Sequence, residues 1–292
     1  MNIWNEIKNN IKTGSHLTRL LYINLAFFVV VRLTLMVFTL FNVDVSHYVR
    51  YAEIPAYLPH LIYQPWSIIT YMFLHIEFLH FIFNILALYW FGKIYLLFFN
   101  QRQLVGTYIV GGIGGALLYI IGYNIFPYFS TIVQQSYLLG ASASVMSIIF
   151  AAVAYAPNYE ISLALIGKIK LKYLGIIFLA IDLLSVTSVN AGGSIAHIGG
   201  ALSGFLFTFS LQKGKDITMG INKLIDIFAN IFTPRPKIKV KYTNKKTDAQ
   251  WNTEKKANNE KIDEILDQIK KSGYENLTAE QKKTLFDISK KI

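Results

Sequence analysis

The sequence predicts an all-α membrane protein, a bundle of six transmembrane helices followed by a small soluble helical tail. Three observations carry that prediction. Hydrophobic residues make up 53% of the 292-residue chain against 15% charged, and the mean hydropathy is +0.40, too apolar for an ordinary soluble domain. Apolar runs recur at lengths suited to a bilayer, which takes about 20 residues per helical crossing. Charge is unevenly spread: residues 1–212 carry 10 Lys and Arg against 6 Asp and Glu, and residues 213–292 carry 18 against 11, which sets the tail apart as polar and basic. The absence of cysteine removes disulfides, thiolate metal sites and a cysteine nucleophile, so any chemistry rests on oxygen and nitrogen.

Residues 1–19 form a short N-terminal segment in which Lys8, Lys12 and Arg19 precede the first apolar run. No small-residue cleavage site follows that run, so it reads as a retained span rather than a secretory signal. The run, residues 20–41, opens a six-span domain over residues 20–212. Arg32 interrupts it. An intramembrane arginine normally faces a polar partner, and Asp182, the one deep carboxylate in the later spans, is the candidate; the alternative is that Arg32 snorkels toward an interface. Residues 42–65, with Asp44, His47, Arg50, Glu53, His60 and three prolines among Tyr and Leu, form a long interfacial loop. The second span lies within residues 66–99. His80 and Asn84 are four apart there and project from one helix face, which is expensive in lipid unless both open on a polar cavity.

The third span, about residues 104–121, holds Gly106, Gly111, Gly112, Gly114 and Gly115, a clustering that implies close helix contact. An uncharged loop over residues 123–137 leads to the fourth span, 138–155, which opens with Gly140-Ala141-Ser142-Ala143-Ser144. A connection carrying Lys168, Lys170 and Lys172 precedes the fifth, 173–186, and a small polar loop over 187–194 precedes the sixth, 195–211. Gly200 and Gly204 in the sixth form a pair suited to tight packing. Lysine and arginine placement puts both termini and the basic loops on the cytoplasmic side. Spans two, four and six then begin near the outer face, which brings His80, Asn84, Ser142 and His197 to one depth.

Residues 213–241 form a linker. Its part from 217 to 232 has the apolar spacing of a helix lying on a membrane surface, and residues 234–241 are extended and basic, suited to anionic headgroups. The tail, 242–292, ends in a helical hairpin at about 259–290, with helices over 259–272 and 278–290. Gly273 ends the first, and Thr278 with Gln281 makes a capping box. The hairpin is too small for a robust domain and is expected to modulate, to tether, or to dock a cytoplasmic partner.

Small residues in a membrane helix ordinarily serve close packing, and a serine there bonds its own backbone one turn back. The alternative for Ser142 is a nucleophile, which needs a base and oxyanion donors. His197 is suited to take its proton and return it to the leaving amine, and His80, Asn84 and the Ser142 backbone N–H are the candidate donors. No carboxylate lies in either motif, so the expectation is a Ser142–His197 dyad with the imidazole oriented by packing. Ser144 points about 200° away on a helix and keeps the packing role. Other chemistries fit worse. His75, Glu77 and His80 lack the paired histidines and adjacent glutamate of a helical zinc site, Asp182 has no second deep aspartate to face, and there is no phosphate-cradling loop. No cofactor, metal or nucleic acid is expected.

His80-Phe81-Ile82-Phe83-Asn84, Gly140-Ala141-Ser142-Ala143 and Ala196-His197-Ile198-Gly199-Gly200, in this order on spans two, four and six, resemble the rhomboid intramembrane serine proteases over residues 60–212. His75 matches that family's histidine-rich second span. The resemblance implies Ser142 as nucleophile, His197 as base, and His80, Asn84 and Gly140 on the oxyanion and substrate side, with His75, Ala143, Met146 and Gly200 in support. It also implies transmembrane protein substrates cleaved near the outer face of a bacterial-type plasma membrane, with the fifth span and the 187–194 loop as gate and cap. The paired tail helices resemble an appendage of some bacterial members. Three residues depart from the pattern: Ala143 where glycine is common, Met146 where a tyrosine often stacks on the histidine, and Ser67 after Trp66 where arginine is frequent. Ala143 is small, and Met146 packs through its polarizable sulfur. The other readings are a catalytically inactive rhomboid-like binder of membrane clients, and a channel or transporter, for which matched broken-helix repeats are missing.

Overall fold

The computed structural model describes residues 14–163, 167–232 and 247–289 and divides into two compact units, Met1–Pro234 and Arg235–Ile292. The basic stretch expected over 234–241 lies outside the described residues, as do residues 1–13. In the first unit, α1 (His16–Leu40) is capped by Ser15, whose side chain accepts the Thr18 N–H. It buries only Leu17, Leu20, Asn24 and Phe28, and most of its other apolar side chains, Val30, Leu33, Met36 and Leu40 among them, are exposed, as suits a helix that faces lipid.

Residues 42–65, expected as one long loop, contain α2 (Ser46–Val49), a two-residue strand β1 (Ile54–Pro55) and α3 (Leu58–Tyr63), and with α4 (Ser67–Thr70), which falls in the segment expected to hold the second span, they make one folded stretch. It satisfies its own backbone: Trp66 Nε1 donates to the Tyr51 carbonyl at 2.8 Å, Thr70 Oγ1 to the Ala52 carbonyl at 2.8 Å and Gln64 Nε2 to the Glu53 carbonyl at 3.1 Å. Glu53 itself is only 8% exposed. Burial pushes its carboxyl above the ordinary glutamate value, and the neighbouring Arg50 charge pulls it partly back.

A 3₁₀ turn at Tyr71–Phe73 and an extended stretch precede α5 (Phe78–Tyr95), so the second apolar segment is one long helix only over its later part. Then come α6 (Gln101–Ile125), closed by an Asn100–Gln103 capping box, two 3₁₀ turns, and β2 (Tyr137–Leu138). β2 pairs antiparallel with β1, Ile54 opposite Leu138. It leads into α7 (Ser142–Tyr155). A hairpin of β3 (Glu160–Leu163) and β4 (Gly167–Lys170) takes the place of the plain basic connection, and α8 (Leu171–Leu184), α9 (Ala191–Gln212) and α10 (Met219–Phe232) follow. α9 begins inside the segment expected as a polar loop.

Four helices, α1, α5, α6 and α9, are long and apolar enough to cross a membrane, and the expectation of six spans is met to that extent. α7 and α8 have 14 residues each, about 21 Å at 1.5 Å per residue against a hydrocarbon core of about 30 Å. Both are shortened by what adjoins them: extended chain runs up to Gly140 before α7, and β4 reaches Lys170 before α8. α7 is the centre of the bundle, with Ala143 through Val153 all buried. α6 and α9 close on it through glycine. A Cβ on Gly111 would meet Ser147, one on Gly115 would meet Ala143, and ones on Gly200 and Gly204 would run into the Ala143 and Ser147 carbonyls. α10 follows the same rule, with Thr218, just before it, seated against Gly106; its Leu224, Ile225, Ile227 and Phe228 stay exposed.

In the second unit, α11 (Asp248–Ser272) starts well before Asn259 because Thr247 and Gln250 form a capping box of their own. Gly273, at φ +81°, ends it. α12 (Ala279–Ser289) starts at the Thr278–Gln281 box, where Thr278 N donates to Gln281 Oε1 at 2.9 Å and Gln281 N to Thr278 Oγ1 at 3.3 Å. Gln281 Nε2 also donates to Gln268 Oε1 of α11 at 2.7 Å, and Ile265 and Leu277 are buried.

Candidate active site

Ser142 is the first residue of α7, and the chain that delivers it is fixed at three points. β2 is held by β1, the Gly140 N–H donates to the Tyr71 carbonyl at 2.9 Å, and the Ala141 N–H donates to His75 Nε2 at 3.3 Å. Gly140 sits at φ +121°, where glycine alone is at ease, and a Cβ there would come within 2.9 Å of His80 Cε1. Backbone strain and the His80 ring therefore both exclude a side chain at 140. Because α7 starts at Ser142, the N–H groups of its first turn lack intrahelical acceptors. The positive end of the helix dipole lies beside the hydroxyl.

A cavity of about 370 Å³ opens in front of Ser142 and is lined by His80, Asn84, Met146, Asp182 and His197 as well. Its walls are apolar, and Phe91 of α5 meets Phe178 of α8 across them with ring centroids 6.1 Å apart. The structure thus gathers Ser142, His197, His80, Asn84 and Met146 around one space. His75 stands behind it, fully buried, its ring 5.5 Å from that of His80. Ala143 and Gly200 lie at the α7–α9 contact rather than on the cavity. Asn84 Nδ2 donates to the His80 carbonyl at 2.9 Å, which leaves its second amide hydrogen for another acceptor. Ser144 is buried on the far side, 3.8 Å from Met72 Sδ, in the packing role expected of it. Ser142 and His197 share the cavity with no hydrogen bond between them among the described residues; such bonds often tighten only with substrate present.

One expectation is corrected. His197 is oriented by a carboxylate and not by packing alone: its Nδ1 donates to Asp182 Oδ1 at 2.8 Å. The same bond disposes of the Arg32–Asp182 pairing, and Arg32 lies exposed on α1. The signal was present in the sequence, since Asp182 is the only charged residue in 173–186 and an intramembrane carboxylate needs a named partner. Arg32 was one candidate partner beside the alternative that it snorkels toward an interface, and His197 was not among the candidates, because which helices adjoin is a property of the folded bundle.

The family model for the rhomboid domain matches residues 63–214, and one for a family of unknown function (DUF6576) matches residues 245–291. RHOMBOID-like protein 12, mitochondrial, of Arabidopsis thaliana is 28% identical over 158 residues, which are 51% of this chain and 47% of that relative. The chain therefore matches about half the length of that relative. The rhomboid match spans over half of the sequence and contains every side chain that lines the cavity, and on that ground the chain belongs to the rhomboid family.

Proposed function

We propose that this protein is an intramembrane serine endopeptidase that cuts membrane-anchored protein substrates near the outer face of a bacterial-type plasma membrane. What supports the reading is one observation: a serine at a helix N-terminus and an imidazole line a single apolar-walled cavity with two further side chains, Asn84 and His80, suited to donate. In the reaction, Ser142 Oγ attacks the scissile carbonyl carbon while His197 Nε2 takes the hydroxyl proton. The new C–O bond turns the carbonyl into an oxyanion, which the Ser142 N–H, Asn84 and His80 stabilise. Collapse breaks the C–N bond, and the imidazole returns the proton to the departing amine. Water then hydrolyses the acyl-enzyme by the same route. In the membrane, α7 and α8 complete the set of six helices, both termini are cytoplasmic, and the substrate helix enters between α5 and α8 by parting the Phe91–Phe178 contact.

Purified protein in detergent should cleave a substrate with one transmembrane segment, and Ser142→Ala should lower turnover by at least about 10³-fold. Equal turnover in Ser142→Ala would overturn the assignment. The departures at Ala143 and Met146 favour a second reading, an inactive binder of membrane clients. Covalent labelling of Ser142 by a mechanism-based serine reagent separates the two, because a binder has no need of a reactive hydroxyl.

A further inference from the structure

We infer that Asp182 is a positioning residue for the base, so that His197 is ready to accept a proton only while α8 is seated against α9. The inference rests on the protease reading above and concerns a residue outside the Ser142–His197 pair. A carboxylate accepts and does not donate, so in the 2.8 Å contact between His197 Nδ1 and Asp182 Oδ1 the proton is on Nδ1. That leaves Nε2 as the lone-pair nitrogen, the one a hydroxyl on the cavity side needs. When Ser142 gives up its proton to Nε2, the imidazolium formed keeps Nδ1–H on the carboxylate, and Asp182 stays ionised. Low exposure on both sides, 24% for the His197 side chain and 9% for Asp182, strengthens the charge-assisted bond.

The position of Asp182 couples this bond to a helix. α8 buries only Leu171, Gly175 and Asp182, so Asp182 is the one buried polar side chain on it. Its carboxylate is costly to leave without a partner in an apolar setting. Outward displacement of α8 withdraws the carboxylate, frees the imidazole to change tautomer or rotamer, and disarms Ser142. Return of α8 restores the bond.

Two measurements test this on the full chain in detergent micelles. In wild type, ¹⁵N-histidine NMR should show a strongly downfield Nδ1-bound proton that disappears in His197→Ala and in Asp182→Ala. In kinetics, Asp182→Asn and Asp182→Ala should lower kcat by about 10²-fold or more while KM changes less than about threefold, since the carboxylate orients the base and stabilises the imidazolium without touching substrate. The Asn variant keeps the shape but loses the charge and is able to present an N–H to Nδ1. An active wild type with both Asp182 variants within about threefold of it, or a wild type lacking the downfield proton, overturns the role of Asp182 alone. A wild type that neither cleaves nor labels at Ser142 overturns the protease reading instead. Should Asp182→Ala fail to fold, the isosteric Asn variant and the wild-type resonance still decide.

Discussion

Ser142 and Ser144 carry the same hydroxyl to opposite ends of a physical argument. Two residues along a helix turn the side chain through about 200°, so one oxygen reaches the cavity and the other meets Met72. Glu53 is a third polar group whose surroundings set its behaviour. Its folded carboxyl lies above its ordinary value of 4.5, first because it is buried and despite Arg50 beside it. A group raised in the folded state contributes stability that is present below the unfolded value and is lost as pH rises through the folded one. Thermal unfolding in detergent should therefore show stability falling as pH is raised from about 4 toward neutrality. Glu53→Gln, which keeps the shape and drops the charge, should flatten that fall and be the more stable protein at neutral pH. A pH dependence identical in the two proteins would show that the buried carboxyl finds a compensating partner when it ionises.

At the scale of elements, glycine decides which helices meet. Gly200→Ala would drive a Cβ into the Ala143 carbonyl, a backbone atom of the residue next to Ser142, which has no flexible end to move aside. It should destabilise the fold by about 1–3 kcal/mol and reduce turnover together with it. Gly220→Ala meets nothing within 4 Å and should raise stability by about 0.5–1 kcal/mol through helix propensity alone. Unfolding temperatures of the two variants, moving in opposite directions, would check both. The pairing of Gly200 and Gly204 was legible in the sequence because helix spacing is local. The β1–β2 pairing, the 14-residue length of α7 and α8 and the His197–Asp182 bond were not, because each depends on which distant segments adjoin. Ile54 and Leu138 are far apart in the chain, and nothing in either stretch signals a strand of two residues.

The whole molecule consists of two compact units, and every side chain that lines the candidate site belongs to the first. Charge set the tail apart from residue 213 onward, whereas the compact units divide after Pro234; the Thr278–Gln281 box was legible in the sequence, but α11 begins at a Thr247–Gln250 box of its own, well before the expected Asn259. Where to cut between units is less obvious. A break after residue 211 would remove Thr218, whose side chain fills the gap at Gly106 of α6, and Asp226, which pairs with Arg102 at 3.3 Å. The second pair is exposed and worth little, but the first is a packed contact between α6 and the chain entering α10. A chain ending at Pro234 keeps both. Because the deleted residues lie in an independent unit, turnover of a transmembrane substrate in detergent should stay within about threefold of the full chain. In liposomes the same deletion should act through location, with any change in rate depending on anionic lipid content and on salt, since basic segments are drawn to charged headgroups. Complete loss of turnover in detergent by a truncated chain that remains folded would mean that the tail acts on the first unit, and its role would then be activation rather than tethering.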